Sequence, residues 1–193
     1  MNIVIIDYGA GNTKSVQFAC HRLGFSPVLS NDKDVIRLAD KVIFPGVGQA
    51  SNAMQMLKKS GLDSVIPTLT QPVLGICLGM QLLCNTTEEG HTQGLGVFDV
   101  AVKRFSNTLK VPQMGWNTIF SLESNLFLGL KNDAYMYLVH SYYAEICEHT
   151  ISQTNYGLNY SSALKRDNFY GVQFHPEKSS TEGAQILNNF LTL

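Results

Sequence analysis

Cys77 and the pair His175 and Glu177 are the residues whose types and spacing could do covalent chemistry. Cys77 lies in Gly75-Ile76-Cys77-Leu78-Gly79, where the apolar run from Pro72 ends and a short helical pattern through Met80 and Gln81 begins. A nucleophile is mounted this way at the sharp turn between a strand and a helix. A side chain at position 75 or 79 would crowd that turn, whose central residue sits in a strained conformation. The helix after Cys77 aims its free N–H groups and positive dipole end at the sulfur, which favours the thiolate. A cysteine nucleophile also needs a base and a group that orients the base. His175 closes the strand-like run 169–174, and Glu177 stands two residues on. In an extended segment such residues face the same side, and Pro176 stiffens the geometry between them. A carboxylate there accepts from one imidazole nitrogen and leaves the other to take the thiol proton. Among the five histidines the rival is His140, which also follows an apolar strand. His21 falls in an amphipathic helix, His149 in a polar turn and His91 in a Gly-rich loop. Taken singly, Cys77 could be a buried cysteine in a turn and His175 a strand-end histidine. Only together do they point to catalysis.

The elements that must position these residues are legible from periodicity. Residues 2–7 are apolar and β-branched, as in a central parallel strand buried on both faces. Residues 26–29 and 41–44 read as further strands. An amphipathic helix covers 13–23 with Val16, Phe18, Ala19, Cys20 and Leu23 as its apolar positions, stopped by Gly24. A helix with the stripe Ala53, Met54 and Leu57 follows the third strand, and then a short one over 62–69. This alternation predicts a mostly parallel, doubly wound sheet with helices on both faces. Ligands in such sheets bind at the carboxyl ends of the strands. The loops 7–12 and 45–48 and Cys77 all fall at that end. From Gly94 the pattern changes to strands over 97–105, 111–120, 134–139 and 150–163, an antiparallel extension. A last helix covers 181–193 with Ala184, Leu187 and Phe190 on one face.

Composition narrows the function classes. The chain has 193 residues, 45% hydrophobic and 15% charged, with a formal net charge of −1, which suits one α/β domain over 1–193. No basic run exists, so a phosphate footprint for nucleic acid is not expected. Gly9-Ala10-Gly11 fails as a dinucleotide loop because Lys14 occupies the third glycine's place. Cys20, Cys77, Cys84 and Cys147 form no metal-like spacing, and no metal is expected. The N-terminus reads as a strand, not a signal or membrane span, and reduced thiols point to the cytoplasm.

Three motifs carry a resemblance: Pro45-Gly46-Val47-Gly48, Gly75-Ile76-Cys77-Leu78-Gly79-Met80-Gln81 and His175-Pro176-Glu177, with Cys77 and His175 98 positions apart. Together they resemble the class I glutamine amidotransferases, which use a Cys-His-Glu triad on a flavodoxin-like fold. Asp7-Tyr8-Gly9-Ala10-Gly11-Asn12, Pro112-Gln113-Met114-Gly115-Trp116-Asn117 and Lys178-Ser179-Ser180 are similar to the branch of glutaminase subunits that serve imidazole glycerol phosphate synthase. The resemblance implies that Cys77 attacks the γ-carboxamide of glutamine, with His175 as base and Glu177 orienting it. It implies an oxyanion hole from the backbone N–H groups of Val47 and Leu78, in a loop Gly46, Val47, Gly48 that must flip first. It implies that Gln81, Glu89, Ser141 and Tyr142 hold the amino and carboxylate groups of glutamine. No cofactor is implied. The partner implied is a (β/α)₈-barrel cyclase in a heterodimer, supplied with ammonia. Asn12, Met114, Trp116 and Lys178 would face it. The branch often has His where this chain has Gln113, a departure expected to touch the partner-facing loop. Two other readings stay open: the glutaminase subunit of another ammonia-channelling synthase, and a non-catalytic flavodoxin-like binding module.

Overall fold

The computed structural model describes all residues, 1–193. Its first half alternates strand and helix: β1 (Ile3–Ile6), α1 (Thr13–Arg22), β2 (Val28–Ser30), α2 (Lys33–Arg37), β3 (Lys41–Gly46), α3 (Ala50–Ser60), β4 (Val73–Cys77) and α4 (Leu78–Leu83). The second half is mostly strand: β5 (Cys84–Thr87), β6 (Thr92–Gln93), β7 (Phe98–Arg104), β8 (Gln113–Ile119), β9 (Ala134–His140), β10 (Tyr142–Ala144), β11 (Thr150–Asn155), β12 (Asn159–Arg166) and β13 (Phe169–Val172), closed by α5 (Ser180–Thr192).

The main sheet runs in the order β2-β1-β3-β4-β13-β12-β10-β7-β5-β6, with β11 paired to β12. Strands β2, β1, β3, β4 and β13 are mutually parallel. The sheet turns antiparallel at β12 and β10. The expected α/β architecture with an antiparallel extension is therefore what the chain adopts. Strands β1, β3, β4 and β13 are buried along their whole length, which is why they read as apolar runs without alternation. One face of the sheet packs on α3 and α4 through Ala53, Met54, Leu57 and Leu82. The other packs on α1 and α5 and on a separate two-stranded sheet, β8-β9, through Val16, Leu187, Phe190, Ile119 and Leu138. Each face buries one core, so β4 is clamped from both sides and between two parallel neighbours.

Several boundaries differ from the sequence reading. Residues 150–163 are not one strand but the hairpin β11-β12, which turns through Gly157 at φ +74°. Residues 62–69 hold no regular helix but a turn closed by the Ile66 N–H on the Leu62 carbonyl and then one tight helical turn, Ile66–Thr68; Pro67 lacks the N–H a longer helix would use. Phe18 is 57% exposed and takes no part in the core. It lies two residues from Val16, a spacing that points to the opposite side of a helix. The strand expected over 111–120 is β8, and it carries Met114 and Trp116.

Candidate active site

The carboxyl ends of β1, β3, β4 and β13 lie side by side, and Cys77 and His175 project there from neighbouring parallel strands. Cys77 is the last residue of β4 and the cap of α4, with φ 53° and ψ −111°. Such a conformation costs about 1–3 kcal/mol and persists only where the surroundings impose it. Gly79 is one of the surroundings: a methyl group there would collide with the carbonyl oxygen of Phe44 on β3. Gly75 is confined too, since a Cβ would come 2.8 Å from Leu83 Cδ1 and 2.9 Å from the Met80 nitrogen. The two glycines let α4 lie directly against β3 and β4, which forces the sharp turn at the cysteine.

His175 follows β13 and is held by its backbone N–H, which donates to the Tyr137 carbonyl at 2.9 Å. Its Nδ1 lies 2.9 Å from Glu177 Oε1, and both side chains are almost fully buried. The route to that pairing differs from the one expected from the sequence. Pro176–Lys178 is a tight helical turn, not an extended segment, and it folds the carboxylate back onto the ring. His175 Nε2 has no hydrogen-bond partner within the protein. Burial alone would pull His175 down, but the neighbouring Cys77 and Glu177 outweigh it and raise it to about 10. The imidazolium is thus the favoured form of His175.

His140, the rival base, is occupied. Its Nδ1 lies 2.7 Å from the Tyr142 carbonyl and its Nε2 3.1 Å from the Tyr160 hydroxyl. Burial lowers it to about 4, so it stays neutral and serves as a strut. Gln113 belongs to the same buried group: it is 3% exposed, and the oxygen of its side-chain amide lies 2.9 Å from the Tyr160 hydroxyl. The departure at Gln113 therefore touches this interior network under the cavity, not a partner-facing loop. The period of two along β8 explains the error, since Gln113 points in while Met114 and Trp116 are 65% and 53% exposed.

A cavity of about 320 Å³ opens over Cys77 and His175 and is also lined by Val47, Gly48, Leu78, Gln81, Glu89, Ser141 and Tyr142. All four residues expected to hold glutamine and three of the four expected at the oxyanion hole thus line one space. Gly46 lies just below, and a Cβ there would meet the Gly79 nitrogen and the Tyr8 hydroxyl. The backbone N–H groups of Val47 and Gly48 make no hydrogen bond, and Gly48 has φ +95°. Gln81 is buried, and its Nε2 donates to the Tyr142 carbonyl at 2.9 Å and to Gln173 Oε1 at 2.8 Å. Its Oε1 accepts nothing within the protein and is the atom left for a ligand. Glu89 Oε2 accepts from the Ala50 N–H at 2.9 Å and so caps α3, and burial raises its pKa. No group of three or more His, Cys, Asp or Glu is placed to hold a metal ion.

Beside the cavity, the exposed Lys178 holds its Nζ 5.9 Å from the centre of the Tyr137 ring, and Trp116 meets the same ring edge-on at 6.1 Å. Asn12 is half-buried and caps α1, with Oδ1 3.4 Å from the Ser15 N–H. Tyr137 and Gln173 were not singled out by the sequence. The available signals were a tyrosine at a period of two from Tyr135 in β9 and a polar residue within the apolar run 169–174.

A family model described as glutamine amidotransferase class-I matches residues 4–193. The chain is 53% identical over 196 residues to a Bacteroides fragilis (strain YCH46) protein named imidazole glycerol phosphate synthase subunit HisH, with both chains covered in full. Proteins of the same name from Yersinia pestis and Escherichia coli K12 are 48% and 47% identical, again at full coverage of both. Among solved structures, a crystal structure of a glutamine amidotransferase is similar with a TM-score of 0.76 at 18% identity, over 98% of this chain and 97% of that one. PurLQS from Thermotoga maritima gives 0.74 at 16% identity, over 99% and 97%. At such identities these two structures speak to the fold alone.

Proposed function

This chain belongs to the class I glutamine amidotransferases, and from that membership we propose how its cavity works. Its activity is that of the glutaminase component of imidazole glycerol phosphate synthase, in histidine biosynthesis, with a cyclase as its partner. The substrate of the cavity is glutamine. Cys77 Sγ attacks the γ-carboxamide carbon, and the backbone N–H groups of Val47 and Leu78 meet the oxygen as it becomes negative. Such a donor lowers the barrier by roughly 3–4 kcal/mol in other acyl transfers. His175 carries the thiol proton to the nitrogen, the C–N bond breaks, and ammonia leaves a γ-glutamyl thioester on Cys77. Water, activated by His175, then releases glutamate. Glu177 holds the imidazole ring in place throughout. Gln81 Oε1 and Glu89 receive the ammonium of glutamine, while Ser141 and Tyr142 line the carboxylate end. The thioester supplies the covalent chemistry, so neither metal nor organic cofactor is required.

The observation that carries this reading is that Cys77 and His175 line one cavity while Glu177 meets the Nδ1 of His175 behind it. The unpaired N–H of Val47 supports a mobile oxyanion loop, Gly46 to Gly48, that completes the site on activation. Trp116, Met114 and Lys178, with Asn12 behind them, form the face for the cyclase, a (β/α)₈ barrel. Exposed aromatic and Met side chains are enriched at such interfaces. The whole chain acts as one glutaminase domain, in the cytoplasm; no helix in it is long and apolar enough to cross a membrane.

The test is glutamine hydrolysis by the chain alone, with a barrel cyclase, and with the cyclase plus its nucleotide substrate. Turnover should rise at each addition, most at the last. Turnover that ignores the cyclase but responds to a different synthase would assign the chain to another pathway.

A further inference from the structure

We propose that Gln173 belongs to the nucleophile's own machinery: clamped by Gln81, it donates a side-chain N–H to Cys77 Sγ. The proposal rests on the reading of Cys77 as the glutaminase nucleophile. Gln173 is fully buried, directly after β13 and two residues before His175. Its Nε2 lies 3.7 Å from Sγ, and its Oε1 accepts from Gln81 Nε2 at 2.8 Å.

The direction of that amide is fixed by its neighbours. Gln81 Nε2 carries two hydrogens, and they go to the Tyr142 carbonyl and to Gln173 Oε1. With its oxygen held by Gln81, the Gln173 amide can turn only its NH₂ toward the sulfur. A primary amide is costly to bury unless its polar atoms are matched. Gln173 nonetheless sits at zero exposure in the strand extension between Val172 and Phe174. An N–H donor gains strength when its acceptor becomes ionised. The contact therefore favours the thiolate over the thiol and holds it facing the cavity, which are both requirements of the attacking form. Gln81 thereby serves both ends: its Oε1 is free toward the cavity, and its N–H groups orient the donor beneath the sulfur.

Gln173→Met removes the donor at similar length. Gln173→Glu keeps an oxygen for the Gln81 N–H but offers the sulfur a negative charge in place of an N–H. Both are measured in the complex with the cyclase and its nucleotide substrate, beside the unaltered chain. Losing a hydrogen bond to a charged group should lower kcat for glutamine hydrolysis by about 10- to 100-fold. The rate of Cys77 labelling by diazo-oxo-norleucine should fall in parallel, with the Glu variant the slower. KM for glutamine should stay within about 3-fold, because the lost contact is to the nucleophile and not to substrate. Ammonia-dependent synthesis by the same complexes should be unchanged, which shows them to be assembled. If the Met variant does not assemble, the Glu variant decides. An assembled variant with kcat within about 3-fold of the unaltered chain, or a defect confined to KM, overturns the proposal. Absence of labelling at Cys77 in the unaltered complex overturns the premise instead.

Discussion

Cys77→Ala is expected to abolish glutamine-dependent synthesis of imidazole glycerol phosphate while ammonia-dependent synthesis by the same complex persists. The sulfur is the only thiol that lines the cavity, and it stands there because the backbone is held at φ 53° by close packing of α4 on β3. Alanine can keep the apolar contacts of this turn, so the partner should still bind. Removing the nucleophile of a comparable triad lowers kcat by on the order of 10⁶-fold. Steady-state assays with glutamine and with ammonium salts read the two activities separately. Retained glutamine turnover in the variant would remove Cys77 from the mechanism. Loss of both activities would mean that the turn, and not the thiol, matters to the complex.

Glu177→Gln should have the next largest effect. Its carboxylate meets His175 Nδ1 at 2.9 Å in a site closed to water, and it helps to raise His175 to about 10. Replacing the orienting carboxylate of another triad by its amide costs about 10⁴-fold in kcat. The pH dependence carries a second signature. The departing nitrogen needs the proton that His175 holds, so activity falls as pH rises through the His175 value. Loss of the negative charge lowers that value, and the alkaline limb of kcat should move to lower pH in the variant. A pH–rate profile of the assembled complex checks both the size and the sign. An unmoved alkaline limb would show that Glu177 does not govern the proton on His175.

Much of this was legible because parallel sheets leave simple traces. Uninterrupted apolar runs marked β1, β3, β4 and β13, and the residues that end them share one rim by topology. Cys77, His175 and Glu177 were thus readable as neighbours although nothing local joins Cys77 to the other two. The Glu177 contact was anticipated for a different geometric reason than the one that operates, since a tight turn and not an extended segment brings the carboxylate to the ring. Other features depend on tertiary pairing. Nothing in the sequence distinguishes His140 as a neutral strut from His140 as a base; that follows from Tyr142 and Tyr160, which come from β10 and β12. Gln113 was expected to face the partner, but pairing of β8 with β9 fixes its side chain inward and leaves that of Trp116 at the surface. Gln173 escaped notice because a lone polar residue in an apolar run has no meaning until Gln81 and Cys77 are seen on either side of it.

A covalent γ-glutamyl intermediate at Cys77 is the step on which the rest of this mechanism depends. The complex with its cyclase, turning over glutamine in the presence of the nucleotide substrate, can be quenched in acid and the chain mapped by peptide mass spectrometry. A glutamyl adduct should be found on the peptide that carries Cys77, appearing at the pre-steady-state rate and disappearing when glutamine is exhausted. Full turnover with the adduct on another residue, or with none on Cys77 at any time, would contradict the mechanism.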